Sequence, residues 1–127
     1  MKSYFANNEK LPFASDEFNS YTANMSLMLV DNYMNQLKEA YRILRPRGIA
    51  GFTVFGRREN CALFTLMSKA ATQARLAQSS DDFFYLGADK QKLVEDAKLV
   101  GFKKGVTYYV PSHVNFRDGE EVFRRMT

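Results

Sequence analysis

An α/β fold on a mixed sheet is what this sequence predicts, from three features. Apolar residues at helical spacing alternate along the chain with short runs rich in β-branched and aromatic residues. The run "IAGFTVF", Ile49 to Phe55, lies between Gly48 and Gly56 and suits a strand covered on both faces. Gly105 to Val110 leads through the short Pro111-Ser112 turn to Val114–Phe116, the pattern of an antiparallel closing pair rather than of a purely parallel sheet. With 46% of 127 residues hydrophobic and 14% aromatic, the chain can bury one sizeable core, so residues 1–127 are expected to form a single domain.

Lys2 to Ala6, which contains Tyr4 and Phe5, reads as a strand running into the polar Asn7, Asn8 and Glu9. Phe18 to Asn24 is the next strand. From Asp31, a candidate N-cap, the period becomes helical, with Met34, Leu37, Tyr41 and Leu44 on one face and Pro46 and Gly48 marking the stop. After the Ile49–Phe55 strand, Asn60 caps a second helical run that places Leu63, Met67, Ala70 and Ala74 on one side. A third helix runs from about Asp89 to Val100, with Leu93, Ala97 and Val100 in register and Gly101 as its C-terminal stop. Then come the Gly105–Val110 strand and a frayed final helix in "DGEEVFRRM". No repeat, low-complexity tract or linker interrupts the series.

The formal charge is +4, but the basic residues are spread along the chain and diluted by Asp16, Glu17, Asp81, Asp82, Glu120 and Glu121. Nucleic acid is therefore not an expected partner, since its recognition wants a concentrated basic stripe. One cysteine cannot form an internal disulfide, and there is neither a long apolar run nor a signal-like start. These features predict an intracellular, cytoplasmic protein with no membrane span. Cys61, at a helix start, is either a reactive thiol or a small core hydrophobe. One cysteine and one histidine cannot build a zinc site, and no Gly-x-Ser-x-Gly turn occurs, so metal and hydrolase chemistry find no support.

The order "ANNEKLPFASDEFNSYTANMSLMLV", a helix ending "EAYRILRPRG", then "IAGFTVF" and later "KLVEDAKLVGF" resembles the later two-thirds of class I S-adenosylmethionine-dependent methyltransferases. The likeness runs from about Lys2 to Phe116 and is closest to the small-molecule branch that includes the ubiquinone and menaquinone C-methyltransferases. It implies a Rossmann-like methyltransferase fold that lacks its first strands and its Gly-rich cofactor turn. The seven glycines contain no close-spaced Gly-x-Gly turn between a strand and a helix. Two departures fall inside the matched part. Asn19 stands where the family has Asp. Arg45-Pro46-Arg47-Gly48 stands where it has Lys-Pro-Gly-Gly, which puts a side chain at a left-handed position at a cost of about 1 kcal/mol.

By that resemblance, Asn7 and Asn8 lie like the residues that meet the adenine ring of S-adenosylmethionine, and Asn24 with Met25 lies near its methionine moiety and ribose. An Asn amide both accepts from an exocyclic amine and donates, which suits Asn7, although the Asn7-Asn8 pair alone also reads as a turn. Met28, Phe55, Arg57 and Arg58, with the helix from Asn60 to Gln78, are the candidates to cover the acceptor. His113 is the candidate base, and it also fits a surface turn. Met25, Met28 and Met34 equally suit core filling. The function implied is methyl transfer from S-adenosylmethionine to a small molecule, with the first half of the cofactor site absent from this chain and the remaining site weak or partial. The alternative is a non-catalytic methyltransferase-fold module for interaction or dimerisation. The uncovered sheet would then be covered by a second copy in a homo-oligomer or by a missing N-terminal half.

Overall fold

The computed structural model describes residues 2–76, 83–113, 115 and 117–126. Strand β1 (Phe18–Asn24) pairs in parallel with β2 (Leu44–Thr53), and helix α1 (Tyr33–Ile43) connects them. After a 3-10 turn at Arg58–Asn60 come α2 (Ala62–Gln73), α3 (Tyr85–Ala88), α4 (Lys90–Val100) and α5 (Gly119–Met126). One β-α-β unit thus carries the fold, and α1 packs on β2 and α4.

The register runs from Ser20 opposite Ile49 to Asn24 opposite Thr53. Upstream of it, the step from Phe18 to Ser20 faces the longer stretch from Leu44 to Ile49, so Arg45 to Gly48 bulge out of the pairing. Arg47 sits there at φ 71°, the left-handed side chain that the resemblance implies. Tyr21, Ala23 and Phe52 face α1, and the Tyr21 and Phe52 rings meet at 5.8 Å. The other face, with Ser20, Thr22, Ile49 and Gly51, is exposed.

Leu27, Met28, Leu37 and Leu86 form the centre of the core, ringed by Met25, Tyr33, Met34, Phe52, Val54, Phe55, Phe83, Leu93 and Val100. Helix α4 matches its sequence signals. The Asp89 side chain accepts from the Gln91 and Lys92 amides, and Gly101 closes the helix at φ 129°. A Cβ at Gly101 would lie 2.7 Å from the Tyr41 ring, so the same glycine also lets α1 and α4 approach closely.

Several expectations are corrected. Asn32, not Asp31, caps α1, and its side chain accepts from the Met34 amide. Cys61 precedes α2 without a side-chain cap from either Asn60 or itself. No residue of α2 is fully buried, and Met67, Ala70 and Ala74 are exposed rather than facing the core. Lys2 to Ala6 and Gly105 to Val110 form no strand, because strand propensity needs a partner and none lies beside them among the described residues. The described sheet is a purely parallel pair, so Ile49–Phe55 is not central and its strand ends at Thr53. Of the expected antiparallel return, Val114 and Phe116 lie outside the described residues.

Three carboxylates tie this small fold together. Glu9 accepts from the Asn32 amide and the Asn35 side chain, each at 3.0 Å, which anchors the Asn7–Lys10 turn to the start of α1. Glu39 accepts two bonds from Arg42 and one from the Leu11 amide, while Arg42 also donates to the Leu11 and Phe13 carbonyls, so this pair holds the Leu-Pro-Phe turn on α1. Asp96 on α4 accepts from Tyr33 of α1 at 2.7 Å and from Lys92 at 2.6 Å.

All three carboxyls titrate below their ordinary values. For Glu9 the chief cause is the Asn32 amide, and for Glu39 the Arg42 guanidinium. Burial pushes Asp96 up, but the Lys92 and Tyr33 donors outweigh it. A carboxyl whose pKa is lowered on folding stabilises the fold above its unfolded value and loses that contribution as pH falls through the folded value. The unfolding temperature is therefore expected to hold between about pH 7 and 5 and to fall below about pH 4. Circular dichroism melts should show this slope flattened in a Glu9→Gln, Glu39→Gln, Asp96→Asn variant; an unchanged slope would contradict the assignment.

Candidate functional site

In an open parallel α/β sheet, ligands bind beyond the carboxyl ends of the strands. Here that edge comprises Asn24 at the end of β1 with Met25 after it, beside Thr53 at the end of β2 with Val54 and Phe55 after it. Met25 stands at φ 52°, in a left-handed conformation that costs a non-glycine residue about 1 kcal/mol and that recurs at ligand sites. Its amide donates to the Thr53 carbonyl at 3.0 Å and to Thr53 Oγ1 at 2.9 Å, and that hydroxyl donates in turn to Asn24 Oδ1. Asn24 is exposed, and among the described residues its Nδ2 meets no protein acceptor.

Asn7 and Asn8 come to the same end of the molecule. Their turn is closed by the Lys10 amide on the Asn7 carbonyl and by the Glu9 amide on Asn7 Oδ1, at 3.0 and 2.8 Å. Glu9 then fastens it to Asn32, which follows β1 and begins α1. The Asn7 side chain thus does serve a turn. Its Oδ1 keeps one lone pair and its Nδ2 two donors.

Phe55 continues the edge, with its ring 5.2 Å from both Phe64 and Phe84, and these two meet at 5.3 Å. Arg58 stacks over Phe84 at 5.6 Å, and Arg57 over Tyr109 at 5.1 Å, where Lys90 also lies at 5.3 Å. Both arginines therefore rest on aromatic rings beside the edge. Tyr109 donates from its hydroxyl to the Gly87 carbonyl at 2.9 Å, which pins the Gly105–Val110 segment there. Met28 is 6% exposed and packs in the core, the other role open to it in the sequence. His113 is exposed beyond Val110, and no hydrogen bond joins it to the other candidates among the described residues. Of the helix expected from Asn60 to Gln78, α2 covers Ala62–Gln73, with Gln78 outside the described residues.

Thr53, Ser26 and Gln36 escape the sequence reading although they hold this edge in shape. Thr53 is legible only once the register sets it opposite Asn24; Gln36 has the spacing of a core position and no other signal.

Residues 2–52 match the methyltransferase domain family. A ubiquinone/menaquinone biosynthesis C-methyltransferase of Rickettsia typhi is 44% identical over 48 residues, 38% of this chain and 19% of that protein. The 2-methoxy-6-polyprenyl-1,4-benzoquinol methylase of Dictyostelium discoideum mitochondria is 43% identical over 42 residues, 33% of this chain and 13% of that protein. The match thus spans a fifth or less of these relatives' length. Among solved structures, a SAM-dependent methyltransferase of Thermotoga maritima, a possible histamine N-methyltransferase, superposes with TM-score 0.53 at 22% identity, over 78% of this chain and 44% of that one.

Proposed function

We propose, for a chain whose residues 2–52 belong to the methyltransferase domain family and whose fold is that of class I S-adenosylmethionine-dependent methyltransferases, that the carboxyl edge of β1 and β2 forms one wall of a cofactor site used in methyl transfer to a small molecule. The observation that carries this reading is the left-handed Met25, locked by Thr53 beside an exposed Asn24 at the end of β1. The donor set suits S-adenosylmethionine in part: Asn24 and the Asn7-Asn8 turn offer amide donors and acceptors to a nucleoside and an amino-acid moiety. The cofactor would supply a sulfonium methyl group for in-line displacement. This chain's residues would hold it and keep the acceptor aligned, with Phe55 and the Arg58-capped aromatic cluster beside the acceptor.

The sequence contains no close-spaced Gly-x-Gly turn for the methionine end, and neither β1, ending at Asn24, nor β2, ending at Thr53, ends in an acid for the ribose hydroxyls. Two polar anchors at about 1 to 1.5 kcal/mol each give only about ten- to a few-hundred-fold in affinity, so binding to the 127-residue chain is expected to be on the order of millimolar. Calorimetric titration is the test. Millimolar binding weakened by an Asn7→Ala, Asn24→Ala double substitution supports the wall; heat that is indifferent to both substitutions contradicts it.

A second reading, a non-catalytic module that pairs through its sheet, is favoured by the exposed outer face, where Ile49 is 73% exposed in a parallel sheet of a kind normally covered on both sides. It expects a homodimer at micromolar concentration by light scattering. A monomer that binds no apolar dye speaks against it.

A further inference from the structure

Gln36 is the fourth residue of α1 and is fully buried, at 0% exposure. Its Nε2 donates to the Tyr21 hydroxyl and to Ser26 Oγ, each at 3.1 Å, while no protein donor reaches its Oε1 among the described residues. For stability alone this is a poor choice, because a buried carboxamide with half its hydrogen bonds made is a net cost that an apolar side chain of the same length would avoid. What the carboxamide gains is a fixed Ser26, the residue that follows the left-handed Met25.

We infer that Gln36 is a positioning residue, whose buried amide braces the Asn24–Ser26 turn from the α1 side as Thr53 braces it from β2. A left-handed non-glycine residue persists only where its surroundings over-determine it. Thr53 fixes the Met25 amide and the Asn24 side chain, but neither bond controls where the chain goes next. The Gln36–Ser26 bond acts there, tying the exit of the turn, beside the core residue Leu27, to a fully buried residue of α1. The turn is thus set by two neighbouring elements, and Asn24 is presented outward at the strand's end. The inference rests on the cofactor reading above for its purpose, though not for its geometry.

Amide hydrogen exchange on the full chain tests it. Gln36→Met keeps the length and removes both bonds, and Ser26→Ala removes the same bond from the other side. Either is expected to speed exchange of the Met25 amide about tenfold, the effect of losing one neutral hydrogen bond, while the Leu37 amide on α1 changes less than about twofold. Tyr21→Phe keeps the Ser26 bond and is expected to leave Met25 unchanged. A Met25 amide unmoved in both variants, or Met25 and Leu37 accelerating together, would make Gln36 a packing residue and overturn the inference. Titration of Gln36→Met with S-adenosylmethionine separates the two readings. If exchange responds but the wild-type chain binds no cofactor, the brace stands and the cofactor reading falls. If the wild type binds and Gln36→Met binds equally well, the positioning role falls.

Discussion

Gly87→Ala is expected to displace α3 from the end of β2 and to lower stability by about 3 kcal/mol or more. A Cβ built at Gly87 would lie 1.8 Å from the Phe55 carbonyl oxygen, 2.8 Å from the Phe55 carbonyl carbon and 2.9 Å from Gly56 Cα. All three are backbone atoms, so no side-chain rotation relieves the contact. Helix propensity acts the other way, favouring Ala over Gly by about 1 kcal/mol, but a clash of this depth exceeds it. The displacement also carries off Leu86 of the core and the Gly87 carbonyl that holds Tyr109. Thermal denaturation should show a fall of roughly 10 °C. A melting temperature unchanged to within about 1 °C would mean that α3 does not press on the Phe55–Gly56 backbone.

Leu37→Ala is expected to cost about 3 to 5 kcal/mol. Leu37 is fully buried and touches the core from the middle of α1, between the β1–α1 connection, which supplies Leu27 and Met28, and α3, which supplies Leu86. Truncation removes the transfer energy of the side chain and leaves a cavity that the surrounding helices can close only in part. Domains of this kind are stable by only about 5 to 15 kcal/mol, so the loss is a large fraction of the total. Leu37→Met keeps the volume and is expected to cost less than about 1.5 kcal/mol. Urea titrations of the two variants check both numbers, and equal midpoints would contradict the core assigned here.

The contrast between legible and hidden features follows from where each is encoded. Strand β1 has the bounds Phe18–Asn24 that its residue pattern predicts, and α4 lies between the Asp89 and Gly101 caps that its sequence offers, because caps and turn residues act within a few positions of themselves. Arg47, at φ 71°, stands where the resemblance places a left-handed glycine. Met25 is different. Nothing in its neighbours asks for φ 52°; the residue that holds its amide, Thr53, lies 28 residues later. Glu9 reads as a loop residue until its bonds to Asn32 and Asn35 are seen.

Gly105–Val110 fails in the opposite direction, because a β-rich composition reports fitness for a sheet rather than the presence of a neighbouring strand. The exposed α2 face fails similarly, since period tells which residues share a side but not whether anything packs there. At the candidate site, Asn24, Met25 and Phe55, to which the resemblance points, share one edge, and Asn7 and Asn8 share its end of the molecule. His113 was named as well and makes no hydrogen bond to them among the described residues.

As a cofactor wall, the role proposed for it, the carboxyl edge of β1 and β2 must respond to the cofactor itself. The most direct measurement is an amide chemical-shift map of the full chain titrated with S-adenosylmethionine. Saturable shifts, on the order of millimolar, are expected at Asn7, Asn8, Asn24, Met25 and Thr53 and none in α5. Shifts scattered over the surface, or gathered on the exposed face of Ser20, Thr22 and Gly51 with Asn24 and Met25 unmoved, would contradict it.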